Sequence, residues 1–180
     1  MRDRSSRRGL LAGLFAVAAS CGGKAVVDGP ASGATGGGST CARGVCLGPE
    51  DAAELEATAV GLEACVPVAD GADSEGLGLR VGGVEVLASS DVDVSLRLVL
   101  ANLEPAYVPS YPGLRLEILR DWATVATLEA GQFYGIEGCG TMETTVTLGW
   151  DLVGGATFLL SATNQLGKIV TEAIQFSLER

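Results

Sequence analysis

Five cysteines are the residues of this 180-residue chain best placed to do chemistry, and no histidine accompanies them. A thiol can be acylated, oxidised to a disulfide or bound to a metal, and its context selects among these. Without histidine, Ser-His-Asp and Cys-His nucleophilic sites, HExxH zinc sites and histidine general bases are all excluded. Lys24 and Lys168 are the only lysines, so no SxxK pair exists, and neither sits in a P-loop pattern. Cys41 and Cys46 have four residues between them and are followed by the lone Cys65 and Cys139, which is not zinc-ribbon spacing. No metal or other cofactor is expected. Acids are numerous, but nothing marks a pair for a carboxylate-based hydrolase, so no catalytic residue is assigned and the chain is not read as an enzyme.

Cys21 differs from the other cysteines in what precedes it. Residues 1–8 carry Arg2, Arg4, Arg7 and Arg8, residues 9–19 are apolar, and Ala18, Ala19 and Ser20 are small. A charged start, a short apolar run and small residues describe an export signal over 1–20. The run is too short for a transmembrane helix, which takes about 20 residues. A cysteine ending this pattern resembles the lipobox of the bacterial lipoprotein family, with Ala18 where the family usually has Leu. The resemblance implies that Cys21 is lipidated and becomes the mature N-terminus. The implied partner is then a membrane, reached through acyl chains such as palmitate. Gly22 rather than Asp after the cysteine implies the outer membrane of the cell envelope. At ~0.8 kcal/mol per buried CH₂, more than one acyl chain anchors stably. Ser6-Arg7-Arg8-Gly9-Leu10-Leu11 is similar to the twin-arginine export motif, so Sec and Tat routes both stay open.

Cys41, Cys46, Cys65 and Cys139 remain, an even number in an exported chain, which reads as two disulfides with three possible connectivities. Cys41–Cys46 with Cys65–Cys139 is the favoured set. The first closes a loop that can form locally, and the second ties an early segment to a later loop.

Charge narrows the partners further. The chain has 12 basic and 22 acidic residues, and residues 1–20 hold four of the former and one of the latter. The remainder therefore has 8 basic and 21 acidic residues, a net charge of −13. Such a surface repels nucleic acid. It suits solubility, and cation binding is the sharper alternative. Asp91 and Asp93, with Asp70, Asp73 and Glu75 in the preceding loop, could offer oxygens to calcium, although their spacing is not an EF-hand.

The elements that must carry these residues fall into four stretches. Residues 1–20 are the signal. Residues 21–40 are rich in Gly and small side chains and read as a disordered tether reaching about 25 Å. Residues 41–76 hold three of the cysteines' partners-to-be and a short helix over 51–62, opened by Pro49, Glu50 and Asp51. Residues 77–180 alternate apolar and polar side chains.

Val92, Val94, Leu96, Leu98 and Leu100 form one buried row; Leu114, Leu116 and Ile118 a second; Met142, Thr144, Val146 and Leu148 a third. Residues 157–163 are apolar on both faces and predict a central strand. Val170, Ile174, Phe176 and Leu178 mark the last strand, reached by a turn at 164–168 with Gly167 at positive φ. Strands over 79–88, with a bulge at Gly82-Gly83, and 124–128 complete the set. About seven short strands predict a mainly β fold, an antiparallel β-sandwich. The ending FLLSATNQLGKIVTEAIQFSL resembles the last hairpin of bacterial immunoglobulin-like or fibronectin type III-like domains.

Aromatic residues complete the candidate sites. Tyr107 and Tyr111 lie in a proline-rich loop and are expected exposed, as possible ligand contacts. Trp122, Phe133, Tyr134 and Trp150 also fall near strand ends, with Trp122 and Trp150 expected to plug the core. Aromatics gathered at one end could stack on a glycan or contact an envelope protein. The sequence therefore leads to a lipid-anchored envelope protein presenting a non-catalytic sandwich, with a glycan-binding module as the alternative.

Overall fold

The computed structural model describes residues 39–68 and 73–179. The signal over 1–20, Cys21, nearly all of the 21–40 stretch, and Asp70 lie outside the described residues. In chain order the elements are β1 (Thr40–Ala42), β2 (Val45–Leu47), α1 (Pro49–Ala64), β3 (Leu79–Ser89), β4 (Asp93–Asn102), β5 (Val108–Pro109), β6 (Gly113–Arg120), β7 (Ala123–Gln132), β8 (Gly135–Ile136), β9 (Thr141–Gly149), α2 (Trp150–Val153), β10 (Thr157–Thr163) and β11 (Ile174–Leu178). One sheet has the order β1-β2-β11-β10-β6-β7 and a second the order β3-β4-β9. Every pairing is antiparallel. The two-stranded ribbon β5-β8 sits at one end.

Alternation decides which faces meet. Val94, Leu96, Leu98 and Leu100 of β4 are fully buried, and so are Leu114, Leu116 and Ile118 of β6. Phe158 of β10 and Phe176 of β11 stack with ring centroids 4.9 Å apart. Each such side chain contributes about 1.5–3 kcal/mol when buried. The inner faces of the two sheets thus form one hydrophobic cluster, a β-sandwich. β10 lies inside its sheet between β11 and β6, as its two apolar faces require.

Particular boundaries differ from expectation for local reasons. Val92 is exposed and outside β4, because the Ser90 hydroxyl accepts from the Val92 and Asp93 amides and holds a turn there. Val170 is outside β11. The 164–168 turn forms as expected, with Gly167 at φ +68° and Asn164 Oδ1 accepting from the Leu166 and Lys168 amides. The ladder then breaks, and β11 starts only at Ile174. β3 carries the expected bulge, with Gly82 unpaired where a Cβ would press on Val99 and Ala101.

Residues 41–64 are built into the sandwich. β1 and β2 form a hairpin, and β2 pairs with β11. α1 is longer than its 51–62 pattern. Its Pro49, Glu50 and Asp51 occupy the first turn, where a missing N–H costs nothing and negative charge meets the helix dipole. Gly61 weakens a helix by about 1 kcal/mol, yet here it lets α1 lie against Leu103, 3.2 Å from where a Cβ would be.

Candidate functional site

Both disulfides of the favoured set are present. Cys41 and Cys46 face each other across the β1–β2 hairpin. Cys65 follows α1 and joins Cys139 in the loop before β9, 74 residues on. This second bridge helps assemble one end of the sandwich from four loops.

Asn102, fully buried at the end of β4, organises that end. Its Nδ2 donates to the Ala106 and Glu137 carbonyls at 2.9 and 3.1 Å, and its Oδ1 accepts from the Glu104 amide at 3.0 Å. One side chain thereby ties the β4–β5 loop to the β8–β9 loop and satisfies its own polar atoms, as burial demands. The Val68 amide donates to Pro105 and the Ser74 amide to Tyr107. Gly76 packs against Leu79, Val108 and Asn164. Val108 and Ile136 of the β5–β8 ribbon are buried beneath these loops.

On this frame three tyrosines face solvent. Tyr107 is 39% exposed, Tyr111 52% and Tyr134 87%. The rings brought together are Tyr111 and Tyr134, with centroids 6.1 Å apart and planes tilted by 51°. Tyr107 instead lies across Gly135, where any Cβ would strike its ring, and its hydroxyl donates to the Tyr134 carbonyl at 3.4 Å. Ser110 and Tyr111 both have positive φ, 38° and 59°, a conformation uncommon outside glycine. The amide of Tyr111 donates to the Phe133 carbonyl and that of Phe133 to Pro112, which fixes the turn. Val66, Val68 and Leu77 are exposed in the loop between α1 and β3, and Leu166 and Ile169 in the loop between β10 and β11. Lys168 and Arg80, whose guanidinium donates to the Leu77 carbonyl at 2.9 Å, are cations of these segments, outnumbered by the acids Asp73, Glu75, Glu104, Glu137 and Glu172. Amphipathic rings with an acidic rim can stack and hydrogen-bond to a ligand.

The aromatics do not all gather at this end. β6 separates Gly113 from Arg120, so Trp122 and Trp150 lie about 25 Å away at the other end. Trp150 plugs the core as expected, and its Nε1 donates to the Ser90 carbonyl at 2.9 Å. Trp122 does not: it is 86% exposed. Asp121 and Trp122 form a two-residue turn with φ of 51° and 66° between β6 and β7. That turn projects the indole past the strand ends rather than over the core.

The acids do not assemble either. β3 separates Asp73 and Glu75 from Asp91 and Asp93 by eleven residues, roughly 35 Å. Asp93 instead accepts from the Ser90 hydroxyl. A groove of about 650 Å³ runs between α1 and the 170–175 segment, lined by Glu50, Asp51, Glu54, Arg80 and Glu172 among others. Within it, Asp51 accepts from the Gln175 amide, and Glu50, Glu54 and Glu172 are exposed.

No protein-family model matches the chain, and no curated protein matches it. Tyr134, Leu77 and Leu166 join the site although only Tyr134 carries a sequence signal, its place after Phe133 at a strand end.

Proposed function

We propose that this protein is exported, lipidated at Cys21 and held at the cell envelope, where its sandwich presents a non-catalytic surface to other envelope components. The observation that carries the reading is the use of the cysteines. The chain has five, and Cys41, Cys46, Cys65 and Cys139 are paired with one another, which leaves Cys21 as the thiol not taken by these disulfides. Two disulfides also suit an oxidising compartment, and the residues before Cys21 carry the pattern of an export signal. The anchor is tested by fractionating cells that express the wild-type chain or Cys21→Ser. Wild type is expected with the membranes, the variant in the soluble fraction. A wild-type chain found soluble removes the anchor.

A glycan ligand is the second reading, favoured by the exposure of Tyr107, Tyr111 and Tyr134 beside an acidic rim. It predicts that neutral oligosaccharides quench tyrosine fluorescence and that Tyr134→Ala weakens binding about ten-fold, stacking being worth on the order of 1 kcal/mol. Binding unchanged in Tyr134→Ala removes this patch as the sugar site.

A further inference from the structure

The side of the sandwich where β7 and β9 end is open. Inward residues of β4 and β6, Leu96, Leu98, Leu116 and Ile118, are fully buried. Their counterparts Ala126 and Leu128 on β7, and Thr144 and Val146 on β9, are only half-buried. Gly131 of β7 abuts Thr144 of β9, so the two edges lie side by side. Native sheet edges are blunted by shortness, bulges, charge or cover. β1 is three residues long, β3 is bulged twice and packed by α1, and β7 is bulged at Val125 and Gly131. β9 is neither short nor bulged, and β7 approaches it at Gly131. Its nine residues run in unbroken register with β4, and Glu143 is their only charge.

Hydrogen bonding shows which groups are free. The Trp150 amide donates to Val92 and the Asn102 amide to Gly140, at the two ends of the β4–β9 ladder. By antiparallel alternation the even residues of β9 bond to β4. Thr141, Glu143, Thr145 and Thr147 then aim their N–H and C=O groups outward.

The geometry points to β9 as an interface with a second copy of this chain, paired antiparallel about a two-fold axis at Thr145. In that register Thr145 faces the second copy's Thr145, and Glu143 faces the second copy's Thr147, so no acid opposes an acid. On the core side Thr144 faces Val146 and Met142 faces Leu148 of the second copy, which covers the half-buried row on both. Moving the axis to Glu143 would set the two glutamates directly opposite, a destabilising pair. The charge pattern thus fits a copy of this strand and selects its register. The two three-stranded sheets become one of six strands. Each chain has a net charge of −10, so long-range repulsion opposes encounter and salt relieves it.

Sedimentation velocity on the full chain carrying Cys21→Ser, which removes any association through lipid, tests this. A monomer–dimer equilibrium is expected that shifts toward dimer as NaCl rises. Thr145→Pro removes the outward N–H at the axis, a change that an edge strand tolerates, and is expected to weaken the dimer about ten-fold or more with an unchanged circular dichroism spectrum. Thr147→Lys keeps every backbone group and sets a cation opposite Glu143, which is expected to tighten the dimer about five-fold. Monomer at every protein and salt concentration overturns the proposal, and so does a dimer that Thr147→Lys leaves unmoved.

Discussion

Trp150 and Trp122 are one residue type in opposite roles. Trp150 is 8% exposed, opens α2 and hydrogen-bonds to Ser90. Its replacement by Ala is expected to cost about 3–5 kcal/mol, read as a lower urea midpoint. Trp122 holds a left-handed position in the Asp121–Trp122 turn, where an Asp-Gly pair is the favoured chemistry. Trp122→Gly is therefore expected to stabilise the fold by about 1 kcal/mol. A loss of stability in that variant would mean that the exposed indole packs on something the turn geometry does not show. From the sequence both tryptophans read as strand-end residues expected to plug the core, which holds for Trp150 alone. Asp-Trp is not a usual signature of a two-residue turn, so the projection of Trp122 was illegible. The exposure of Tyr107 and Tyr111 was legible, because Pro105, Pro109 and Pro112 leave room for no strand longer than the two-residue β5 between them. Their separation was not, since it depends on Gly135 yielding space to one ring and on positive φ at the other.

At the scale of elements, period-two rows located β4, β6 and β9, because a face that alternates can bury itself in only one way, whereas β10 was legible from apolar residues on both faces and only half of β7 was expected. β1, β2, β5 and β8 have two or three residues each and carry no period. They exist because a hairpin disulfide and a loop frame hold them in place, and tertiary causes of that kind leave no local mark. The longer disulfide has the larger energetic role. Cys65–Cys139 closes a loop of 74 residues, and in the chain-entropy model its removal costs about 4.5 kcal/mol. Cys41–Cys46, with a separation of five, contributes about 2 kcal/mol in the same model. Serine pairs at each bridge, compared by chemical denaturation, are expected to show that ranking. The reverse ranking would indicate that the Cys65–Cys139 loop stays restricted in the unfolded chain, or that Asn102 and its neighbours hold the loop end without the bridge.

At the scale of the whole molecule, the described residues form two distinct exposed surfaces. One end carries three tyrosines on a frame tied by Asn102 and Cys65–Cys139. One side carries the straight edge of β9. Catalytic chemistry has no histidine to draw on, and the tyrosines lend themselves to contact rather than reaction. The proposed anchor at Cys21 would fix where this domain acts. Intact-mass analysis of the protein extracted from the membranes of expressing cells tests it most directly. Lipidation predicts a chain that begins at Cys21 and is heavier than its sequence by a lipid with more than one acyl chain. A mature N-terminus elsewhere, or a Cys21 that carries no lipid, would overturn it.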